Sequence, residues 1–374
     1  MNMNIFQKLY HRDLDKVYQG FRDSGEKIIL DNIIGDITDL QVYFENLKIK
    51  VSSDTKVLIS YHNPFWEPIL NLASSMGLRT KVGIQNWLYQ DDLKNILEIS
   101  GFEVVSSDKR FFGITTITIA KPNKQKLKFK HKEHSVSIIV PTRNEEGNIV
   151  KIIPSIPKFG KWQEFIFVEG HSKDKTWEKI LSLKSKFENK DKVRSVKTFK
   201  QKGKGKADAV KLGFEKATGE ILMIYDADRT VNASDLSKFY KALVEGKGKF
   251  INGSRLVYPM EKDAMRALNK IGNKFFGTLF TWILGTRFKD TLCGTKVMWK
   301  EDFVKYKKDY NKYLKNDPFG DFALIFTAIK HNLKVVEIPV RYKERVYGST
   351  NINRFRHGLL LFKMALLAFI EFKI

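Results

Sequence analysis

The sequence has little cysteine and no long apolar run. Cys293 is its one cysteine, which excludes a disulfide framework and a cysteine-rich zinc site and favours a reducing compartment. No run of 18 or more uncharged apolar residues occurs, and the first 19 residues lack the apolar stretch of about 7–15 residues that a secretory signal requires. These absences predict a cytoplasmic protein without a membrane-spanning helix.

Acidic residues are scarce relative to basic ones, because 42 Asp and Glu face 66 Lys and Arg and leave a formal net charge of +24. With 43% hydrophobic residues, the chain is still too apolar for a disordered polycation. Residues 1–120 hold 13 basic and 15 acidic residues, whereas residues 135–374 hold 47 and 26. Residues 121–134 (KPNKQKLKFKHKEH) read as a basic linker. We therefore predict two domains, with the surplus of positive charge in the second.

After the linker, short apolar runs alternate with stretches of helical periodicity. Runs of strand type cover 135–140, 164–169, 193–199 and 220–226, and helical stretches cover 148–156, 175–187 and 207–217. This alternation predicts an α/β fold in which parallel strands and crossover helices form a doubly wound sheet. Ligands bind such sheets beyond the carboxyl ends of the strands, so the polar residues at those ends form the candidate site.

Two regions near these strand ends carry groups that suit metal or phosphate binding. Asp226 and Asp228 follow one strand, and two carboxylates so close to an apolar strand need a cation such as Mg2+ or Mn2+. The loop KGKGKAD, residues 202–208, places lysines and glycines at a predicted helix N-terminus, as phosphate sites do. From the residues alone, an exposed turn or helix cap and a solvated lysine loop remain open.

Six segments occur in a fixed order after the linker: IIVPTRNEEGNI, FVEGHSKDKT, KGKGKADAVKLGFEKATGEILMIYDADRT, INGSR, FKDTLCGTK and VVEIPVRYKERVYGSTNI. Together they resemble the inverting family 2 glycosyltransferases of GT-A fold, most closely the branch of the dolichyl- or polyprenyl-phosphate mannose and glucose synthases. The resemblance covers residues 135–355 and implies a doubly wound mixed sheet over 135–350. It also implies a metal-dependent hexosyltransferase that uses a GDP- or UDP-linked sugar donor.

The resemblance implies a donor site made of Pro141, Thr142, Asn144, Glu145, Glu169, Lys204, Asp208 and Asp226. Glu169 takes the place of the base-binding aspartate, because VEGHS stands where the family usually has VDDGS. The choice between uracil and guanine is therefore open. Asp226 and Asp228 would hold Mg2+ or Mn2+, with Thr230 as a further ligand. A metal ion there stabilises the charge that develops on the leaving diphosphate.

Arginines would bind the acceptor. Arg255, Arg266 and Arg345 match the phosphate-binding arginines of the synthases in order, and an arginine fork suits phosphate. A lipid phosphate acceptor is already an anion and needs no strong base. Asp290 would close the site, and Asp321 is either a base for a hydroxyl acceptor or the N-cap of the next helix. The predicted catalytic residues are Asp228, Arg255, Arg345, Asp290 and Asp321.

Two other functions stay open at this point. A hydroxyl group of a glycan could replace the lipid phosphate as acceptor, as in surface-polysaccharide synthesis. The positive charge of residues 135–374 would also suit nucleic acid, but the sequence contains no recognition module and carboxylates at strand ends serve no purpose on a DNA surface. We therefore expect no nucleic-acid binding, and the sequence leaves the oligomeric state open.

Two amphipathic stretches indicate a membrane surface. Residues 265–288 carry apolar residues at spacings of three and four, and residues 353–374 combine basic residues with the apolar run MALLAFI. This composition is typical of helices that lie on anionic lipid, although burial in the core or in a dimer interface is the alternative. We expect a peripheral protein on the cytoplasmic face of a membrane, with residues 351–374 as an interface helix.

The first 120 residues contain the segments VLIS, LKNILEIS, FEVV and ITTITIA in this order. They resemble the C-terminal half of a class I methyltransferase dependent on S-adenosylmethionine (SAM), which implies a helix, strand VLIS, a helix, helix LKNILEIS, and strands FEVV and ITTITIA. The glycine-rich loop and the acidic residue that bind the cofactor are absent from this sequence. We expect a small α/β remnant that packs or docks, and no binding of labelled SAM to the purified protein.

Overall fold

The computed structural model describes residues 5–22, 26–79, 85–123, 132–187, 193–260, 267–317, 319–348 and 354–374. The chain divides into two units. Unit 1 comprises Met1–Lys128 and Val257–Pro259, and unit 2 comprises Phe129–Leu256 and Met260–Ile374. Arg266 and most of the predicted linker lie outside the described residues.

Unit 1 contains a four-stranded sheet. Its elements in chain order are α1 (Ile5–Arg22), β1 (Lys27–Asp31), α2 (Leu40–Lys50), β2 (Lys56–His62), α3 (Glu67–Ser75), α4 (Gln90–Ile99), β3 (Phe102–Arg110) and β4 (Thr115–Pro122). The strand order is β1-β2-β4-β3, with β1 parallel to β2 and β4 antiparallel to both of its neighbours. The order of elements expected for the first 120 residues is present, and the likeness to a methyltransferase stays a prediction.

A segment distant in sequence completes the core of unit 1. Val257 and Tyr258 are buried with Leu40, Phe44 and Phe102 in one apolar cluster. The Tyr258 hydroxyl accepts a hydrogen bond from the backbone N–H of Leu40 at 3.2 Å, which satisfies one donor at the start of α2. Nothing in the spacing of the sequence indicates this contribution, because it depends on where the chain after residue 254 runs.

Unit 2 alternates strands and helices for most of its length. Its elements are β5 (Val136–Thr142), α5 (Glu146–Ser155), β6 (Gln163–Glu169), α6 (Thr176–Phe187), β7 (Arg194–Lys200), α7 (Lys206–Lys216), β8 (Ile221–Ile224), α8 (Leu236–Val244), β9 (Phe250–Ser254), α9 (Ala267–Leu284), β10 (Lys296–Trp299), α10 (Lys300–Leu314), α11 (Phe322–Lys330), β11 (Val335–Pro339) and α12 (Arg354–Lys373). The strands β5, β6 and β8 are almost wholly buried, as their apolar, β-branched composition predicts.

The seven strands of unit 2 form one mixed sheet in the order β11-β9-β10-β8-β5-β6-β7. Strand β10 runs antiparallel to β8 and β9, and the other neighbouring pairs are parallel. The carboxyl ends of β5, β6, β8 and β9 therefore meet the amino end of β10 at one edge of the sheet. This edge gathers the polar loops that the sequence singles out, as the predicted α/β fold requires.

The two amphipathic stretches form α9 and α12, which pack against each other in unit 2. One face of α12, with Leu361, Met364, Ala365 and Ala368, is buried in the main apolar core. Of the two alternatives given for this segment, burial in the core is therefore correct for that face of the helix. None of the helices in the described part of the chain is long and apolar enough to cross a bilayer.

Candidate active site

Two carboxylates stand at the centre of this sheet edge. Asp226 and Asp228 follow β8, and the Asp226 carboxylate accepts a charged hydrogen bond from Lys206 Nζ at 2.7 Å. Lys206 is the first residue of α7, so the glycine-lysine loop delivers this ammonium group. Partial burial alone would raise the pKa of Asp226, but the Lys206 charge outweighs it and holds this pKa below its usual value. Asp226 is therefore ionised and neutralised by a side chain.

A second cation neutralises Asp228. Arg345 donates to Asp228 Oδ2 through Nη2 at 2.7 Å and to Glu145 Oε1 through Nη1 at 3.0 Å. The other Asp228 oxygen accepts hydrogen bonds from the backbone N–H and the hydroxyl of Thr230, at 3.1 and 2.9 Å. Arg345 thus bridges two carboxylates from different strand ends, and its fork geometry suits this task.

Arg345 belongs to residues 341–348, which we call the arginine strap. The strap begins beside the carboxylates, because Lys343 N–H donates to the carbonyl of Thr230 at 2.8 Å. It ends over the start of α5, where the Tyr347 ring is so close to Gly147 that a Cβ atom there would lie 2.5 Å from it. A side chain at Gly147 would have to displace this ring. The strap therefore joins the β8 loop to the N-terminus of α5.

The nucleoside-side residues predicted from the sequence lie at the ends of β5 and β6. Thr142 and Glu169 are both buried, and Glu169 accepts a hydrogen bond from the backbone N–H of Ser172. Asn144 has a left-handed backbone (φ 55°), and its side-chain oxygen accepts from Lys173 N–H at 2.8 Å. The bond between Asn144 and Lys173 ties the loop after β5 to the loop after β6. Pro141, at the end of β5, is half-buried.

Glu145, which the sequence predicts in the donor site, is bonded to two other side chains. Its two oxygens bind Arg345 and the Asn148 amide, which donates at 2.7 Å. Burial raises the pKa of Glu145, although Asn148 and Arg345 act in the opposite direction. The structure thus places Glu145 as an anchor for Arg345.

The glycine-lysine loop is closed by its own aspartate. Asp208 Oδ2 accepts from Gly203 N–H at 3.1 Å, and no space exists for a side chain at Gly203 beside this carboxylate. Lys204 is exposed, whereas Lys206 contacts Asp226. The fold therefore brings Lys206 of this loop, rather than the predicted Lys204, to the carboxylates.

Arg255 and Asp290 form a buried pair. Arg255 donates to Asp290 through Nε at 2.7 Å, Nη2 at 2.8 Å and its backbone N–H at 3.0 Å. Burial alone would raise the pKa of Asp290, but Arg255 reverses this and holds the pKa low. The Arg255 guanidinium also lies 5.1 Å from the ring centre of Tyr342 in the strap. The pair fixes the loop before β10 against the end of β9.

Asp321 is engaged by a lysine that sequence reasoning missed. Lys296 Nζ donates to Asp321 Oδ1 at 2.8 Å, and both side chains are buried. Asp321 makes no side-chain capping bond to α11; Asp317 Oδ2 accepts from Ala323 N–H at 2.8 Å and caps the helix in its place. A lysine in the apolar strand β10 is the signal that could have predicted this pair, because a buried ammonium needs a partner.

The sequence of unit 2 matches the model of the family described as "Glycosyl transferase family 2" over residues 137–327. This match covers half of the chain and includes the loops after β5, β6, β8 and β9. The chain belongs to glycosyl transferase family 2. It is accordingly a nucleotide-sugar-dependent glycosyltransferase, and the predicted α/β fold with a mixed sheet is confirmed.

Curated relatives of this family 2 transferase share about a quarter of its residues. Glycosyltransferase AglJ of Haloferax volcanii is 28% identical over 61% of this chain and 70% of its own length. A dolichol-phosphate mannosyltransferase of Pyrococcus furiosus is 28% identical over 58% of this chain and 59% of its own length. A human dolichyl-phosphate beta-glucosyltransferase is 26% identical over 57% and 68%. The chain thus spans between about three fifths and seven tenths of these relatives.

Among solved structures, a mannosyltransferase from Pyrobaculum calidifontis, in complex with GDP-Man and Mn2+, matches with a TM-score of 0.44 and 16% identity. The match covers 64% of this chain and 66% of that one. A Staphylococcus aureus TarS fragment in complex with UDP-GlcNAc gives the same TM-score and identity.

The carboxylates of the family 2 transferase suit a hard divalent ion. Within the described ranges, no group of three or more His, Cys, Asp or Glu side chains is arranged to hold a metal. Mg2+ and Mn2+ need only one or two carboxylates when phosphate oxygens complete the coordination. Asp226 and Asp228 would supply the two carboxylates. Gly294 also leaves Asp226 room, because a Cβ atom there would collide with its carboxylate. The donor set therefore fits such an ion together with a diphosphate.

Proposed function

We propose that this transferase moves a hexose from a GDP- or UDP-linked donor to a polyprenyl or dolichyl-type phosphate, with inversion at the anomeric carbon. The buried Lys296–Asp321 pair carries this proposal. Asp321 is the carboxylate predicted as a base for a hydroxyl acceptor, and it is buried and bonded to Lys296 rather than open to an acceptor. A phosphate acceptor needs no such base, whereas a hydroxyl acceptor does.

The reaction requires two anions to approach each other. An oxygen of the acceptor phosphate would attack the anomeric carbon as its bond to the diphosphate oxygen breaks, and the nucleoside diphosphate would leave with the electron pair. A divalent ion held by Asp226 and Asp228, with Thr230 beside them, would stabilise the leaving charge. Lys206 lies on Asp226 and could donate to the same diphosphate.

Arg345 is suited to connect donor binding with acceptor binding. It shares Asp228 Oδ2 with any metal ion that uses this oxygen, so a bound ion would weaken its bond to Asp228. Glu145 would still hold the other guanidinium nitrogen. The freed Nη2 group would then be available to the acceptor phosphate. In this scheme, Arg255 acts with Asp290 to hold the strap through Tyr342 and does not itself bind the acceptor.

The relatives support a lipid phosphate as acceptor and leave the sugar open. Those from Pyrococcus furiosus and human are named for dolichol or dolichyl phosphate with mannose or glucose. A further relative from Methanococcus voltae, 24% identical over 92% of its own length, is named for UDP-N-acetylglucosamine and dolichyl phosphate. The donor screen must therefore include both nucleotides and several sugars.

The test is a transfer assay with purified protein, Mn2+ or Mg2+, and GDP-mannose, UDP-glucose or UDP-N-acetylglucosamine. A short polyprenyl phosphate and the corresponding polyprenol are offered as acceptors in parallel. We expect product from the phosphate alone, and Asp228→Asn should lower the rate by about a hundredfold. Asp309→Asn is the matched control, because its carboxylate pairs with Lys330 rather than with the site.

The role of Asp321 separates the two acceptor classes. The double variant Lys296→Met/Asp321→Leu replaces the buried pair by apolar side chains, which keeps the core intact more often than a single change. Transfer to polyprenyl phosphate should persist within about tenfold, since no base is needed. The opposite result has two parts: the wild type transfers sugar to polyprenol or to a glycan hydroxyl, and the double variant does not. That result would refute the phosphate acceptor and support the glycan alternative.

A further inference from the structure

Helices α9 and α12 each have two apolar faces. Their inner faces lie in the core of unit 2, with Phe280 and Ile283 from α9 and Met364 and Ala368 from α12. Their outer faces carry large apolar side chains that are at least half exposed: Phe275, Trp282, Leu359, Phe362, Leu366 and Ile370. A water-soluble surface rarely gathers so many large apolar groups without a partner. We call these six residues the α9–α12 platform.

Ring contacts join the two outer faces into one surface. The Phe362 ring lies 5.0 Å from Phe276 and 6.0 Å from Phe275, and seven residues later Phe369 stacks on Trp282 at 5.9 Å. Both contacts advance by seven residues in both helices, from Phe275 to Trp282 and from Phe362 to Phe369. The two helices therefore run parallel over these two turns. In α12, positions 359, 362, 366 and 370 follow helical spacing and form a stripe along one side. The platform is therefore about two to three helical turns long and two helices wide.

Charge is sorted between the inner and outer sides of this helix pair. The sequences of α9 and α12 contain one acidic residue, Glu371. Its carboxylate faces the protein, where it accepts from Lys312 at 2.8 Å, Tyr313 at 2.7 Å and Lys330 at 3.3 Å. The exposed lysines Lys363 and Lys373 remain beside the platform. The outer side is thus apolar and basic.

We propose that the α9–α12 platform lies on an anionic lipid bilayer, with its apolar side chains among the acyl chains and its lysines at the headgroups. This surface chemistry is that of an interfacial helix, which buries one face without spanning the bilayer. A second copy of the chain would suit the surface less well, since it would bring the same lysines toward each other. The inference deepens the proposed function by placing the enzyme where a lipid phosphate is found.

Vesicle binding by the full chain, without donor or acceptor, tests this platform. Sedimentation is measured with phosphatidylcholine vesicles and with vesicles that also contain phosphatidylglycerol. We expect binding to the anionic vesicles, weakened by salt, and a loss of roughly tenfold or more in the triple variant Trp282→Ser/Phe362→Ser/Leu366→Ser. Leu181→Ser/Val304→Ser changes two exposed apolar residues outside the platform and should bind as the wild type does.

Tryptophan quenching and the oligomeric state of the protein distinguish a lipid surface from a second copy of the chain. Brominated lipids should quench part of the tryptophan emission of the wild type, and Trp282→Phe should lose that part while remaining folded. Vesicle binding that is unchanged in the triple variant would overturn the inference, as would a concentration-dependent dimer that the triple variant abolishes. A protein that binds vesicles but fails to glycosylate polyprenyl phosphate would contradict the proposed function and leave the platform standing.

Discussion

At the scale of single residues, the site is a set of carboxylates that are each held by a basic side chain. Lys206 holds Asp226, Arg345 holds Asp228 and Glu145, Arg255 holds Asp290, and Lys296 holds Asp321. Some of these pairs are buried and keep the loops in place, whereas those on Asp226 and Asp228 are partly open to solvent. The open pairs are the ones that a metal ion and a diphosphate could rearrange.

Arg345→Gln should separate metal binding from transfer. The substitution removes the cation that would compete with a metal ion for Asp228, so Mn2+ affinity, measured by electron paramagnetic resonance without nucleotide, should rise several-fold. Transfer to lipid phosphate should fall by about a hundredfold, because the acceptor would lose the arginine proposed to bind it. Mn2+ binding that is unchanged or weaker would argue against the exchange at Asp228. Asp228→Asn, which removes a ligand, should lose Mn2+ affinity.

Asp317 makes folding stability depend on pH. Burial raises its pKa from 3.8 to about 6. The folded protein therefore holds an extra proton between about pH 4 and 6, and the free energy of unfolding falls as pH rises through this window. In Asp317→Asn this loss should disappear. The difference in the free energy of unfolding between variant and wild type should therefore change by on the order of 2 kcal/mol from pH 4 to 7. The free energies of unfolding come from chemical denaturation of both proteins at pH 4 and pH 7. The same difference between variant and wild type at both pH values would contradict this role of Asp317.

The residue types at the candidate site could be predicted from the sequence, but the pairs that their side chains form could not. Residue type and position single out the two aspartates after β8, the strand-end Glu169 and the lysine loop, and the structure places all of them at one edge of the sheet. Which lysine reaches Asp226, and which carboxylates Arg345 joins, depends on contacts between residues 20 to 200 positions apart. Such contacts leave no periodic signal in the sequence.

At the scale of elements, the sheet edge is formed by close packing of helices onto strands. In α7, Gly213 lies against β5, where an added Cβ would be 2.5 Å from Ile139 Cγ2. This contact sets how near α7, and therefore Lys206 at its start, comes to the carboxylates. The alternation of strands and helices was predictable because each has its own hydrophobic period. The antiparallel insertion of β10 was not, since a four-residue strand carries no sign of its direction.

Gly213→Ala should destabilise the protein by about 1–3 kcal/mol, because the methyl group overpacks a contact that cannot open without moving α7. Chemical denaturation monitored by circular dichroism gives the free energy of unfolding. The matched change is Gly272→Ala in α9, where nothing lies within 4 Å of the added atom. That variant should be neutral or more stable, since alanine favours a helix interior. Equal effects of the two changes would rule out the packing explanation.

At the scale of the whole molecule, the chain forms two units that do not follow the order of the sequence. Val257–Pro259 belong to unit 1, although unit 2 supplies the chain on either side of them. The excess of positive charge lies in the second part of the sequence, where the site and the platform use basic side chains. If the platform lies on anionic lipid and the site binds phosphate groups, as proposed, these two features would account for much of the excess.

Deleting unit 1 should uncover an apolar pair. A fragment of residues 129–374 retains Val257 and Tyr258, which are about 5% exposed in the full chain, but lacks the core that buries them. We expect this fragment to elute as aggregates in gel filtration. The same fragment with Val257→Ser/Tyr258→Ser should elute as a smaller, defined species. A monodisperse unsubstituted fragment would show that these side chains need no cover from unit 1.

The sequence by itself determined the fold class, the positions of the polar strand ends that form the candidate site, and the two amphipathic helices. These properties follow from hydrophobic period and from motifs in one stretch of chain, which a linear sequence contains in full. Only the tertiary structure decided that Lys206 pairs with Asp226 and Lys296 with Asp321, that Arg345 bridges two carboxylates, and that α9 and α12 have both a buried and an exposed apolar face. Each of these depends on the distance between atoms far apart in sequence, and that distance exists only once the sheet has brought its strand ends together.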